Sequence, residues 1–382
     1  MADLLKCRQE LDIIDSQILK LFEKRMDICK EVADYKISTG KSVLDTAREQ
    51  EKIDKIKSMT KNEEYKNQAG DLLKQIMSMS RKLQYARLGS IESVADFEKT
   101  DKLPVNESTK VVYFGVEGTH SEQAMINYFG EDVQRYGKPV FSEVMDELKE
   151  GKADYGVLPI ENSSTGGIND IYNLLGEYDN YIVDEIDLKI DQALLGVKGA
   201  KLSDIRKVYS HTQGLMQCSQ FLEENPQIAQ YSYSSTAASA KKVKEDNDIS
   251  QAAIAGVRAA KCYGLDVIKK KCNYNSNNTT RFIIVSPRPV YISHSDRISI
   301  CFEIPHKSGS LYDILSNFIY NNINMTKIES SPIQGKSWEY RFFVDIEGSI
   351  DDAAVKNALT GIKAETVYFK ILGSYCNVEK LK

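Results

Sequence analysis

The sequence predicts a multidomain chain: an all-α domain over residues 1–88, a linker at 89–108, an α/β domain over 109–287 and an α+β unit over 296–382. Three observations carry this. Residues 1–88 hold no proline and only Gly40 and Gly70 as glycines. From Lys110 onward short β-rich runs (VVYF, YGVLPI, KVYS, AAIA, RFIIV) alternate with helical stretches, the pattern of a mostly parallel sheet. After Pro287 and Pro289 the segments RISICFEI, LYDILSNFIYNN, INMTKIES, YRFFVDIEG, DDAAVKNALTG and TVYFKILGSY read as strand, helix, strand, strand, helix, strand. That order is the ferredoxin-like βαββαβ unit.

In the all-α part, a first helix is expected from about Asp3 to Ser38, ended by Gly40. Asp45 or Thr46 caps a second, and a third runs from about Glu63 to Leu88. A first helix of about 54 Å, at 1.5 Å per residue, is too long for a lone globule of this size and implies a second copy of the chain. The stretch GSIESVADFEKTDKLPVNES is polar, contains Pro104 and reads as a linker that keeps functional sites separate.

Composition excludes several classes. The 382 residues are 42% hydrophobic and 27% charged, with a formal net charge of −5, which gives no reason to expect nucleic acid. No run approaches the length of a membrane span, and the first residues lack an apolar signal core, so a cytoplasmic protein is expected. Seven scattered cysteines without a C-x-x-C pair and four histidines without ligand spacing argue for a reducing compartment and against a metal. No G-x-G-x-x-G follows a strand, and no G-x-S-x-G or Walker sequence occurs, so no cofactor is expected.

On a helical wheel, Leu4, Leu11, Ile14, Ile18, Leu21, Phe22, Cys29 and Val32 share one arc of the first helix, but Arg25 and Lys36 fall in its middle and Arg8 and Asp15 at its edge. A buried cation needs an anion. Either Asp15, Asp45 or Glu49 supplies it within a structural network, or the core holds a small dianion. Asp45, Arg48 and Glu49 on the second helix, with Ser80 and Gln84 on the third, point polar groups at the same core.

This stretch resembles the all-helical chorismate mutases, with Arg8, Arg25, Lys36, Asp45-Thr46-Ala47-Arg48-Glu49 and Ser80-x-x-x-Gln84 at the signature positions. The resemblance implies that Arg25, with Arg8 from a partner subunit, holds the substrate carboxylates. It implies that Lys36 and Gln84 face the ether oxygen, and that Glu49 and Asp45 bind the hydroxyl side with Ser80 and Arg48 in support. A pericyclic rearrangement needs no nucleophile, only a held conformer and donors at the developing charge.

In the α/β part, four strand ends open into turns rich in Ser, Thr, Gly and amide residues: 115–121, 161–167, 210–214 and 235–236. Each is either plain helix capping or part of a shared carboxylate site. The region resembles prephenate dehydratase through Gly-x-x-Gly-Thr-x-Ser at 115–121, Leu-Pro-Ile-Glu-Asn-Ser at 158–163, Ser-His-x-Gln…Gln-Cys at 210–218, Ser-Thr-Ala at 235–237 and Asn-x-Thr-Arg-Phe at 278–282. Val116 and His120 depart from the usual proline and aromatic. The resemblance implies an α/β domain of two lobes, Thr280 nearest the chemistry, and Thr119, Asn162, Ser163, Ser210 and Gln217 as substrate holders. Glu161 is a candidate proton donor, and Arg281 either a carboxylate partner or a structural ion pair. His211 reads as structural.

Residues 296–382 resemble an ACT domain, which implies effector binding at Gly309-Ser310-Leu311 and at Glu329-Ser330; Ser331 stands where the family carries arginine. The expected protein is a bifunctional enzyme of phenylalanine biosynthesis, with chorismate and prephenate as substrates, phenylalanine as effector, and a homodimer or higher homo-oligomer as its state. A solute-binding clamshell beside an amino-acid sensor, a mutase with a degenerate α/β module and a mutase–dehydrogenase fusion are the alternatives. The first leaves the helical domain unexplained, the intact run at 278–282 weighs against the second, and the missing dinucleotide motif against the third.

Overall fold

A computed structural model describes residues 3–89, 96–275, 277–333, 335–336 and 338–376. The chain forms two compact units, one of Met1–Asp96 with Phe302–Phe369, the other of Phe97–Cys301 with Lys370–Lys382. Among the described residues no helix is long and apolar enough to cross a membrane.

The first unit opens with α1 (Leu4–Thr39), capped by the Asp3 carboxylate and ended by Gly40 at φ 66°. A left-handed residue at that place favours glycine. Asp45 caps α2 (Thr46–Met59) by accepting from the Arg48 N–H. The third helix begins later than expected: Glu63–Tyr65 is a 3-10 turn, and α3 spans Lys66–Gly89. The apolar arc of α1 is largely uncovered within this chain, with Leu11, Ile14, Ile18 and Leu21 each about half exposed or more (56%, 49%, 56% and 69%).

The expected linker at 89–108 is partly structured. Its start is the last residue of α3, and β1 (Glu98–Thr100) pairs in parallel with β13 (Val290–Ile292). Leu103 is buried in the same core as Val290 and Ile292, so apolar contacts offset the polar composition. Residues 90–95 lie outside the described residues.

The second unit follows with β2 (Lys110–Phe114), α4 (His120–Phe129), β3 (Gln134–Lys138), α5 (Phe141–Lys149), β4 (Tyr155–Asn162), β5 (Gly166–Gly167), α6 (Asn169–Glu177) and β6 (Tyr181–Lys189). It continues with β7 (Ala193–Gly196), β8 (Lys207–Ser210), α7 (Thr212–Gln217), α8 (Ser219–Glu223), β9 (Ala229–Ser232), α9 (Thr236–Asp246), β10 (Gln251–Ala255), α10 (Val257–Tyr263), β11 (Asp266–Lys269) and β12 (Thr279–Ser286) before β13. Two sheets form two lobes, with strand orders β6-β12-β4-β2-β3 and β11-β7-β10-β8-β9. They are mixed rather than mostly parallel. β12 runs antiparallel to both β4 and β6, and β7 antiparallel to β10 and β11. Period-two burial is the same in either direction, so strand polarity depends on where the chain re-enters a sheet.

The C-terminal elements are β14 (Arg297–Glu303), α11 (Ser310–Tyr320), β15 (Met325–Pro332), β16 (Tyr340–Glu347), α12 (Ala353–Glu365) and β17 (Tyr368–Tyr375), in the expected βαββαβ order. These four strands lie in the order β15-β16-β14-β17. Within the first unit α11 and α12 pack on α3. A Cβ added at Gly361 would lie 3.2 Å from the ring of Tyr85, so α12 and α3 approach closely there.

Candidate active sites

On α1 and α3, the Arg25 guanidinium donates to Ser80 Oγ, and Ser80 in turn donates to the Ile76 carbonyl at 2.8 Å. Gln84 is one turn further along α3, and its Nε2 donates to the Ser80 carbonyl at 3.1 Å. Its buried Oε1 has no partner among the described residues. A buried amide atom without a partner is uncommon. Lys36 Nζ donates to the Val43 carbonyl at 2.6 Å, and burial lowers its pKa against the pull of Asp45 and Glu49. Lys36, Asp45 and Arg48 line a cavity of about 740 Å³.

Of the expected groups, Lys36, Asp45 and Arg48 thus line one cavity, while Arg25, Ser80 and Gln84 are joined to one another across α1 and α3. Arg8 stands in neither set. It lies seventeen residues before Arg25 on one continuous helix, about 26 Å away at 1.5 Å per residue. Glu49 is turned towards α3, where Arg81 holds both of its oxygens at 2.8 and 2.6 Å. The sequence reading missed Arg81 and Lys82, which directly follow Ser80 and are nearly as buried as it is.

In the second unit, a cavity of about 460 Å³ is lined by residues from both lobes. Thr280 and Asn162 are cross-strand partners of β12 and β4, and Asn162 Nδ2 donates to Thr280 Oγ1 at 2.8 Å. Phe282 and Pro159 add apolar wall on the same face. Thr119 caps α4, and Ser235 caps α9 by accepting from the Ala238 N–H at 3.0 Å; both also line the cavity. Gln217 accepts from Gln192 Nε2 at 3.2 Å, while the buried Oε1 of Gln192 has no partner among the described residues. Thr119, Asn162, Gln217 and Thr280 therefore share one cavity.

Four other expected residues do not line this cavity. Glu161 and Arg281 pair across the strands one position from Asn162 and Thr280, so strand alternation sends them to the opposite face. There Arg281 Nε lies 3.9 Å from Glu161 and 3.7 Å from Glu185, which Arg297 also holds at 2.9 Å. Arg281 thus stands near carboxylates of the fold and off the cavity wall. Ser210 is fully buried and donates to the Ile254 carbonyl at 2.7 Å. Ser163 accepts from the Thr279 N–H at 3.0 Å and ties down its turn. Among the described lining residues there is no arginine or lysine. Its polar wall is made of hydroxyls, amides and imidazoles, with the caps of α4 and α9 among them.

Two histidines line the cavity as well. His211 caps α7 through Nδ1, which accepts from the Gln213 N–H at 3.3 Å. Burial pushes the pKa of His120 down to about 4, so it is neutral at physiological pH. A Cβ added at Gly256 would lie 2.9 Å from His120 Nε2. Gly256→Ala, whose φ of −65° tolerates any residue, is therefore expected to displace His120 alone. Prephenate turnover should fall about tenfold, with chorismate turnover unchanged, when both are assayed on the full chain.

A third cavity, of about 440 Å³, lies in the C-terminal elements. Gly309, Ser310 and Leu311 line it with Tyr312, Trp338, Tyr340 and Phe342. Gly309, at φ 82°, is the residue before α11. Glu329 and Ser330 are not on this wall. Glu329 lies 3.9 Å from Lys327 along β15, and Ser331 is buried opposite Arg341.

Comparison with known proteins agrees with this division. The prephenate dehydratase family matches residues 111–290, and the chorismate mutase type II family residues 7–85. Two relatives described as bifunctional chorismate mutase/prephenate dehydratases, from Stutzerimonas stutzeri and Aquifex aeolicus, are each 32% identical, with 98% of both chains covered. A solved prephenate dehydratase from Arthrobacter aurescens, in complex with L-Phe, superposes with a TM-score of 0.66 at 30% identity, over 71% of this chain and 91% of that one. With a mutase-type helical site and a dehydratase-type cavity on separate stretches of one polypeptide, the chain belongs to the bifunctional chorismate mutase/prephenate dehydratase family.

Proposed function

We propose that the two catalytic sites work on successive substrates with the residues identified above, and that the C-terminal elements form a phenylalanine-responsive ACT domain. The observation that carries the catalytic assignment is the pair of separate cavities, each lined by residues of one family signature. In the helical site Arg25 and the partner subunit's Arg8 hold the two carboxylates of chorismate. Lys36 and Gln84 donate to the ether oxygen as its bond breaks, and Asp45 and Glu49 hold the hydroxyl side, with Ser80 fixing Arg25 and Arg48 in support.

In the second cavity the ring carboxylate of prephenate leaves as CO₂. Its bonding electron pair enters the ring, and the hydroxyl departs with a proton as water. Thr280, oriented by Asn162, donates a hydrogen bond to that hydroxyl, while Thr119, Ser235 and Gln217 hold the remaining carboxylate. Glu161, off the cavity, is not assigned the proton. The effector reading rests on the strand order of the four C-terminal strands and on the aromatic walls beside Gly309-Ser310-Leu311. The relative solved with L-Phe is in keeping with it. A reducing cytoplasm fits seven free cysteines.

The uncovered apolar arc of α1 and the remoteness of Arg8 from Arg25 support a homodimer with shared mutase sites. Arg8→Ala and Lys36→Ala should each abolish most mutase activity. Mixing the two after unfolding and refolding should restore about a quarter of the wild-type rate, because a mixed dimer has one site free of both lesions. A mixture as inactive as its parts overturns the shared site.

The direct test incubates the protein with chorismate, without added cofactor, and follows prephenate and phenylpyruvate with and without phenylalanine. Phenylpyruvate is the expected product, formed more slowly with phenylalanine. Accumulation of prephenate alone removes the dehydratase assignment, and indifference to phenylalanine removes the effector assignment.

A further inference from the structure

Arg81, adjacent to Ser80 on α3, joins two carboxylates from two other helices. Its Nη1 donates to the Glu49 oxygens on α2 at 2.8 and 2.6 Å, and its Nε donates to Glu365 Oε1, the last residue of α12, at 2.8 Å. The Arg81 and Glu365 side chains are each 8% exposed, against 22% for Glu49. Burial alone would lower the arginine pKa, but Glu365 and Glu49 outweigh it and raise the value, so the cation persists.

The surroundings fix this arrangement. Lys82 Nζ donates to Ser316 Oγ at 2.5 Å, and Lys74 pairs with Asp313 at 3.1 Å, both on α11. The close passage of Gly361 by Tyr85 sets α12 against α3. Glu49, Arg81 and Glu365 line one small cavity of about 230 Å³ together with Ser310 of the turn before α11. The helix that carries Ser80 and Gln84 is therefore also held by the C-terminal helices.

Resting on the reading that Glu49 binds the hydroxyl side of chorismate, we propose that Arg81 is a positioning residue of the mutase. It fixes the Glu49 carboxylate, and Glu365 of α12 holds Arg81 in the geometry that does so. A glutamate on an exposed helix face has free rotamers, and a guanidinium bound at both ends removes them. Glu365 accepts at Nε and leaves Nη1 aimed at α2. The C-terminal elements thus contribute to the mutase site through one ion pair, without touching substrate.

The test uses the full chain with Glu49→Gln, Arg81→Met, Arg81→Lys and Glu365→Gln. It measures mutase kcat and KM from chorismate, dehydratase rates from prephenate, and thermal melting. Glu49→Gln should lose most mutase activity. Arg81→Met should lower mutase kcat roughly ten- to hundredfold with KM changed less than about threefold, the scale of a misplaced group. Arg81→Lys should recover part of that, and Glu365→Gln should lower mutase kcat about threefold or more. Dehydratase rates should stay within about twofold throughout.

Because Arg81→Met leaves two carboxylates without their cation, Arg81→Lys and Glu365→Gln decide the matter if it fails to fold. Wild-type mutase kcat in both, an effect on KM alone, or a parallel fall in both activities overturns the inference. A Glu49→Gln variant that keeps its mutase activity overturns the assignment of Glu49 and the role of Arg81 with it. An inactive Glu49→Gln beside unaffected Arg81→Lys and Glu365→Gln overturns only the role of Arg81.

Discussion

Lys36→Ala is expected to lower mutase kcat by about 10²-fold or more while phenylpyruvate formation from added prephenate continues unchanged. The ammonium stands against the Val43 carbonyl beside Asp45 and Glu49, in a partly buried place where water screens its charge poorly. A donor there is worth most as the ether bond breaks, so the loss should show in kcat more than in KM. Burial also lowers the pKa of Lys36 below its usual 10.5. Only the protonated amine donates, so mutase activity should be full at neutral pH and fall as pH rises through that lowered value. The alkaline limb should therefore lie below 10.5 and be absent from the dehydratase profile. Loss of both activities in a folded Lys36→Ala protein would falsify the independence of the sites.

Thr280→Val should reduce dehydratase kcat by about 10²-fold and leave the mutase intact. Valine keeps the shape and removes only the hydroxyl. Asn162 Nδ2 then retains Asn278 Oδ1 as a partner at 2.8 Å, so the folding cost should be modest, ~1 kcal/mol. The measurement is phenylpyruvate formation from prephenate together with the melting temperature. A variant that turns over at the wild-type rate removes Thr280 from the chemistry and leaves Asn162 and Gln217 to be tried in turn. A fall in stability as large as the fall in rate would make Thr280 a packing residue of β12.

The two sites were legible to different degrees. On the helices, a cation in the middle of an apolar arc is an anomaly that periodicity exposes, so Arg25 and Lys36 could be singled out from residue order alone. Arg81 could not. It sits beside Ser80, is polar where a polar residue is unremarkable, and is buried between carboxylates of α2 and α12. In the strands, alternation foretells that neighbours face apart but not which face meets the cavity. Thr280 and Arg281 were both candidates on sequence grounds, and only the pairing of β12 with β4 sent one to the cavity and the other to Glu185. Ser210 was misplaced for a related reason: a serine at a strand end serves the backbone as readily as a ligand.

By itself the sequence determined the long first helix ended at Gly40, a second helix opening at Asp45 or Thr46, the βαββαβ order and the mutase signature. All of these rest on local rules of periodicity, capping and backbone conformation that act within a few residues. Tertiary structure decided strand polarity, the face on which Glu161 and Arg281 lie, the folding of Glu98–Thr100 onto β13, and the bridge from Glu49 through Arg81 to Glu365. Each of these depends on which distant segment arrives as a neighbour. Glu365 lies almost the whole chain away from Glu49, and no local rule carries that far.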